Sequence, residues 1–216
     1  MARVARGTLI TIEGLDGAGK STLAHALARE IAARGGSVEL LREPGGVDLS
    51  ERIRALVKDP SLAVSPRTEA LLYAAARAQL VAELLAPLLA EDAIVLLDRF
   101  VDSSLAYQGA GRALGVEEVR AINEFATGGL RPDRTLLLRI APAAGRARQV
   151  SRAVEPDRIE REDDGFFATI AAAYDELARA DPDRIRTLDA SQPPERVLQD
   201  ALAALEDLLP VPSVPG

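Results

Sequence analysis

Cysteine is absent from all 216 residues of the chain. That excludes a disulfide framework and every metal site built on thiolates, and leaves the compartment open. No stretch reaches the ~18 uncharged apolar residues of a membrane span, and the opening MARVARGT lacks the apolar core of a secretory leader. Positive charge is in deficit, with 26 basic against 33 acidic side chains and a net charge of −7. A general attraction to nucleic acid or to an anionic membrane is therefore not expected, and any phosphate recognition has to be local. Lysine is scarcer still: Lys20 and Lys58 are the only two among the 26 basic residues. Internal repeats and low-complexity segments are missing too, apart from Pro210–Gly216, which is expected to be a disordered tail. What remains suits one α/β domain over residues 1–209 with a sizeable core. A soluble cytoplasmic protein is the default expectation.

The most informative stretch present is Thr8–Leu23, TLITIEGLDGAGKSTL. Leu9-Ile10-Thr11-Ile12 has the β-branched, apolar character of a strand buried on both faces. Gly14 to Ser21 then fits G-x-x-x-x-G-K-[ST] without a mismatch, and Leu23, Ala26, Leu27 and Ile31 begin a helical stripe. Strand, glycine loop and helix are the context in which this motif binds nucleoside triphosphate. Its glycines let successive N–H groups converge on one anion, at a helix N-terminus whose dipole also favours phosphate. Gly14, Leu15, Asp16, Gly17, Ala18, Gly19, Lys20, Ser21 and Thr22 are the expected ATP-binding residues. Lys20 supplies a point charge to the β- and γ-phosphates, and the Ser21 hydroxyl is a ligand for Mg²⁺. A lysine here, in a chain that otherwise uses arginine, fits a site that wants a compact ammonium.

The rest of the chain alternates strands and helices. Gly35-Gly36 stops the first helix, and Val38–Leu41 reads as a strand running into Arg42-Glu43-Pro44-Gly45-Gly46. Arg42 and Glu43 sit where a parallel sheet faces its ligand crevice, but a surface ion pair is equally compatible with them. Ser65 and Pro66 open a long helix with Leu71, Leu72, Ala75, Leu80, Leu84 and Leu85 as its expected buried stripe, which Pro87 ends or kinks. Tyr73 and Arg77 share a face of it and suit a stacked, hydrogen-bonded nucleobase, although such spacing is also commonplace. Ala93–Asp98 is a buried strand ending in a carboxylate, the Walker B pattern, so Asp98 joins Ser21 as an expected Mg²⁺ ligand. Ser103, Ser104, Tyr107 and Gln108 follow Arg99 as a hydroxyl-rich cluster. Leu114–Phe125 reads as a helix, Arg134–Ile140 and Arg184–Asp189 as strands, and Phe166–Ala180 and Pro194–Leu209 as helices. Between them, residues 145–164 are crowded with arginine and acid, either a solvated charged helix or a mobile flap that brings Arg148 and Arg152 over the triphosphate. The expected architecture is a P-loop three-layer α/β fold: a five-stranded parallel sheet with helices on both faces and that segment as lid.

In order, EGLDGAGKS (Glu13–Ser21), REPGG (Arg42–Gly46), YAAAR (Tyr73–Arg77), DRFVDSSLAYQG (Asp98–Gly109), RPD (Arg131–Asp133), DRIE (Asp157–Glu160) and DASQP (Asp189–Pro193) resemble the bacterial thymidylate kinase family. The resemblance covers about Leu9 to Leu209. It implies phosphorylation of dTMP to dTDP by ATP and Mg²⁺, in a homodimer. It implies that Tyr73 stacks on thymine, where the family often has phenylalanine, and that Arg77, Ser104 and Gln108 bond the base edge. Arg99 would take the dTMP phosphate, Tyr107 would crowd the 2′ position, and Asp16 would lie near the acceptor sugar and phosphate, with Glu43 at the same site. Catalysis would fall to Lys20, Asp16, Arg99 and the lid arginines Arg148 and Arg152, since Gly17 stands where eukaryotic-like members carry arginine. An acceptor that is already a phosphate needs no general base, so His25 has no role. The alternatives are a deoxynucleoside kinase with Glu43 as base, and an NTPase or regulatory NTP-binding module. The guanine-reading Asn-Lys-x-Asp of a GTPase switch is absent.

Overall fold

The computed structural model describes residues 7–150 and 155–210. Arg152 and the end of the expected tail lie outside the described residues.

Five strands form one parallel sheet in the order β2-β3-β1-β4-β5. They are β1 (Thr8–Gly14), β2 (Val38–Arg42), β3 (Ile94–Asp98), β4 (Arg134–Arg139) and β5 (Ile185–Asp189). Alternation along β1 sorts its side chains to two faces. Ile10 and Ile12 go to the face covered by α1 (Lys20–Ala33) and α9 (Pro194–Ala204), with Leu27, Ile31, Val197 and Ala201. Leu9, Val95 and Leu97 go to the other, against Leu80, Leu85 and Phe100. On that same side Leu137 and Ile185 pack on α8 (Asp164–Ala180) through Phe167, Ile170 and Tyr174. Each fully buried leucine or isoleucine here contributes ~2 kcal/mol. The three layers expected from the alternation of elements are present.

Local punctuation works as the sequence suggests. Gly35, at φ 83°, ends α1, with its N–H donated to Ala32 O and that of Gly36 to Ile31 O. The Ser65 hydroxyl accepts from Thr68 N at the start of α3 (Pro66–Leu80), and Pro66 occupies the first turn, where its missing N–H is harmless.

Two expectations are met only in part. Pro87 does not end its helix: the chain widens into a π turn at Val81–Leu85 and continues as α4 (Ala86–Ala90). The wider turn is one way to relieve the clash of a proline ring with the preceding carbonyls. Of the expected stripe, Leu80 and Leu85 are fully buried and Leu72 and Leu84 partly so, while Leu71 is 56% exposed and Ala75 is exposed as well. The other residues that α3 buries are Glu69, Ala70, Ala74, Ala76 and Arg77. The helix spends its inner face on two charged residues, and part of its apolar face is left on the outside.

The remaining helices are α2 (Asp48–Lys58), α5 (Val101–Ser104), α6 (Val116–Thr127) and α7 (Pro142–Val150). Leu105–Gly111, between α5 and α6, is a second π segment. By length and composition the continuous helix Pro66–Ala90 could cross a membrane, with 33% of its most apolar window buried.

Candidate active site

In register, Ile12 of β1 sits opposite Asp98 of β3, so the P-loop and the Walker B carboxylate leave the sheet side by side. They border a cavity of about 280 Å³ lined by Asp16, Gly17, Gly19, Lys20 and Ser21 at one end. Tyr73, Arg77, Ser104, Tyr107 and Gln108 line it further in, with Glu43, Asp98 and Arg99 also on its wall. A second cavity of about 720 Å³ meets the loop at Gly14 and Leu15 and runs along the ends of β4 and β5 to Asp189 and Ser191. Ala18 and Thr22 line neither of these two cavities.

The P-loop's conformation depends on its glycines. Gly17 has φ 79°, and a Cβ there would come 2.2 Å from the carbonyl oxygen of Gly145 at the start of α7. A side chain is excluded both by backbone conformation and by space. Lys20 Nζ donates to Gly14 O at 3.1 Å and Leu15 O at 3.0 Å, and lies 3.6 Å from Asp16. Burial and the neighbouring Arg99 push the Lys20 pKa down. Ser21 Oγ donates to Asp98 Oδ2 at 3.0 Å.

Arg99 is held from several directions. Its backbone adopts φ 71°, a left-handed conformation costing about 1 kcal/mol or more for a non-glycine residue. Its guanidinium donates to Asp16 Oδ1 at 2.7 Å, Ser103 Oγ at 3.0 Å and Tyr107 OH at 3.2 Å, and lies 5.0 Å from the centre of the Tyr107 ring. Burial opposes ionisation of Asp16, but Arg99 and Lys20 outweigh it and hold the carboxyl well below the usual range. Asp16 thus stands between the two cations.

Behind Arg99 is a carboxylate whose role the sequence alone does not disclose. Glu13, fully buried at the end of β1, accepts from Phe100 N at 2.8 Å, Ser103 N at 3.2 Å, Ser103 Oγ at 2.5 Å and Tyr174 OH at 2.8 Å. It therefore fixes the turn that carries Arg99. Burial, followed by the charge of Asp102, raises its pKa.

Arg42 and Glu43 do not pair with each other. Arg42 turns out to Glu51 at 3.1 Å, while Glu43 turns in to Arg77 at 2.7 Å. Arg77, 2% exposed, also donates to Ser104 Oγ, Asn123 Oδ1 and Phe100 O. Every one of its donors thus faces a protein acceptor. Burial pushes the Glu43 carboxyl up to about 7 despite Arg77, and Glu43 Oε1 has no partner among the described residues. The Glu43–Pro44 peptide is cis.

Of the two arginines in the flap expectation, Arg148 is placed otherwise, and Arg152 lies outside the described residues. Arg148 donates to Ala190 O at 3.1 Å, on the loop after β5, and does not line the 280 Å³ cavity. Arg146 reaches Asp164 and Glu162 O. A solvated charged helix does not describe the segment either, because Ile159 is 7% exposed and packs with Tyr107 and Phe167. The cations that do line the cavity besides Lys20, Arg77 and Arg99 are Arg42, Arg54 and Lys58. Neither Arg54 nor Lys58 stands out in the sequence, and only the scarcity of lysine hints at the second.

The family model described as "Thymidylate kinase" matches residues 12–201. The chain belongs to the thymidylate kinase family. It is 47% identical over 208 residues to the thymidylate kinase of Lactobacillus helveticus, covering 95% of this chain and 98% of that one. Identity to the thymidylate kinase of Deinococcus radiodurans is 43% over 204 residues, covering 94% and 98%. The crystal structure of thymidylate kinase from Ehrlichia chaffeensis superposes with a TM-score of 0.77 at 26% identity, over 93% of this chain and 99% of that one.

Proposed function

We propose that this chain transfers the γ-phosphoryl group of ATP to dTMP, giving ADP and dTDP. The observation that carries the reading is the shared carboxylate: Asp16 lies 3.6 Å from Lys20 on the P-loop and 2.7 Å from Arg99 across the cavity. Two cations this close suit two phosphates brought end to end, which is what transfer between anions requires.

In this reading Gly14–Thr22 hold the ATP phosphates and Lys20 meets the β- and γ-oxygens. Arg99 takes the dTMP phosphate, with Arg54 adding charge on the same wall. Tyr73 provides the ring on which thymine stacks, beside Arg77, Ser104, Gln108 and Glu43. Tyr107 closes the 2′ side of the sugar, and Asp16 aligns Arg99 with Lys20. A phosphate oxygen of dTMP attacks the γ-phosphorus as the bond to the ADP oxygen breaks. That acceptor is mostly dianionic at neutral pH, so no base has to remove a proton. Ser21 and Asp98 suit Mg²⁺, since a hydroxyl and a carboxylate are hard donors and leave room for water and phosphate oxygens. Mg²⁺, when bound, neutralises charge on the phosphates.

The deoxynucleoside-kinase alternative is not favoured, because a neutral hydroxyl acceptor gives Arg99 nothing to bind. A second copy of the chain would cover the apolar side chains left out on three neighbouring helices: Leu49 and Leu56 of α2, Leu71 of α3 and Phe125 of α6, the last 92% exposed. Light scattering at twice the chain mass is the expected result, and a monomer mass would sink it. The enzyme acts in this reading where ATP and dTMP meet, in the cytoplasm, with no nucleic acid or membrane as partner.

ADP release with ATP and Mg²⁺ tests the reaction, using dTMP, thymidine or no acceptor. Turnover with dTMP and little with thymidine is expected. Turnover with thymidine, or equal rates without acceptor, would overturn it.

A further inference from the structure

Glu69 is charged, 1% exposed, and has no part in the mechanism above. It lies on the inner face of α3 and is met from two other parts of the chain. Gln108 Nε2, from the π segment that also carries Tyr107, donates to its Oε1 at 2.8 Å. Arg158 donates to its Oε2 at 2.7 Å, and Arg112 lies 3.2 Å from the same oxygen.

Arg158 belongs to a turn that covers the cavity. Asp157, Ile159 and Glu160 line that cavity. The turn holds itself together, with Ile159 N and Glu160 N donating to Asp157 Oδ1 and Asp157 N donating to Glu160 Oε2. It is fastened to α2 and α3 at four points. Besides the bond to Glu69, Arg158 Nε donates to Val57 O at 2.9 Å and Arg158 N to Lys58 O at 3.2 Å. Lys58 Nζ completes the set with Asp157 Oδ2 at 2.6 Å. The chain's second lysine and the charge-rich segment therefore serve one junction.

The same carboxylate dictates the polarity of Gln108. A carboxylate accepts only, so the amide must turn its nitrogen to Glu69. The carbonyl oxygen is then the group left for the cavity. An acceptor in that place suits a pyrimidine with a ring N–H, as in thymine, and repels cytosine, whose corresponding nitrogen carries a lone pair.

We propose that Glu69 is a positioning residue for the acceptor pocket. It fixes Gln108 with its oxygen toward the base and, through Arg158, ties the 157–160 turn over the bound nucleotide. The proposal rests on the reading that this cavity takes dTMP. Steady-state assays that quantify both ADP and dTDP test it, on wild type, Arg158→Gln, Arg158→Lys and Glu69→Gln, with dTMP and dCMP as acceptors. Wild-type turnover of dTMP, measured alongside, separates failure of the acceptor reading from failure of this one.

Arg158→Gln is expected to raise KM for dTMP roughly tenfold, the worth of a lost charge-assisted hydrogen bond, with KM for ATP unchanged. ADP formed should then exceed dTDP formed, as water enters beneath a loosened turn. Arg158→Lys, which can still reach Glu69, should recover part of the loss. Glu69→Gln should in addition lower the preference for dTMP over dCMP, because a neutral amide no longer dictates how Gln108 points. Equal rises in both KM values, or unchanged KM and stoichiometry in an Arg158→Gln variant of wild-type melting temperature, would overturn the proposal. Should Glu69→Gln fail to fold, the Arg158 pair decides it.

Discussion

At the P-loop end of the cavity Lys20 finds its partners five and six residues away, in Leu15 O and Gly14 O. At the other end Gln108 reaches 39 residues to Glu69, Arg77 reaches 34 to Glu43, and Tyr174 reaches 161 to Glu13. The lysine of one end is seated by a short stretch of backbone, whereas the side chains of the other end are held by partners that only the folded sheet brings together. The P-loop end should therefore depend on a few local residues, and the acceptor end on the whole fold.

That contrast can be tested in decreasing order of effect. Lys20→Ala should lower kcat by ~10³-fold or more while leaving dTMP affinity nearly intact, since the cation acts on transition-state charge at the donor end. Single-turnover kinetics with saturating dTMP checks it. Arg99→Ala should lower kcat/KM for dTMP by ~10²-fold, with ATP binding little changed. Initial rates over a dTMP series at fixed ATP measure this.

The smallest effect is on stability and concerns Glu43. Its folded pKa of about 7 is raised from the ordinary 4.5 by burial, against the pull of Arg77. The contribution of the protonated form is complete below about pH 4.5 and is lost as pH rises through about 7. Glutamine at this position cannot ionise. Urea denaturation of wild type and Glu43→Gln without ligands should shift the difference toward the variant by up to about 3 kcal/mol between about pH 5 and pH 8. A difference that does not change with pH would mean that the carboxylate is ionised throughout.

The same contrast explains what could be read in advance. The P-loop, the Ser65 cap, the Gly35 stop and all five strands are written in neighbouring residues, so the α/β fold was legible. The family motifs brought Asp16, Arg99, Tyr73, Ser104, Tyr107 and Gln108 to one cavity. The roles of Glu13, Glu69 and Arg158 were not legible, because each depends on partners tens of residues distant. Arg148 carries a helical spacing that says nothing of direction, and α7 turns it to Ala190 O. The apolar stripe of the long helix holds at Leu80 and Leu85 and fails at Leu71 and Ala75 for a related reason. Periodicity marks a face but not which face meets the core, and here the core side takes Glu69 and Arg77 while Leu71 stays outside.

In the proposed reaction one cavity holds two phosphates on separate cations, with Asp16 between them. Calorimetric titration of Lys20→Ala and Arg99→Ala with a non-hydrolysable ATP analogue and, separately, with dTMP tests it most directly. A crossed pattern is expected: Lys20→Ala weakens the ATP analogue and spares dTMP, and Arg99→Ala does the reverse. Equal loss of both ligands in either variant would contradict it.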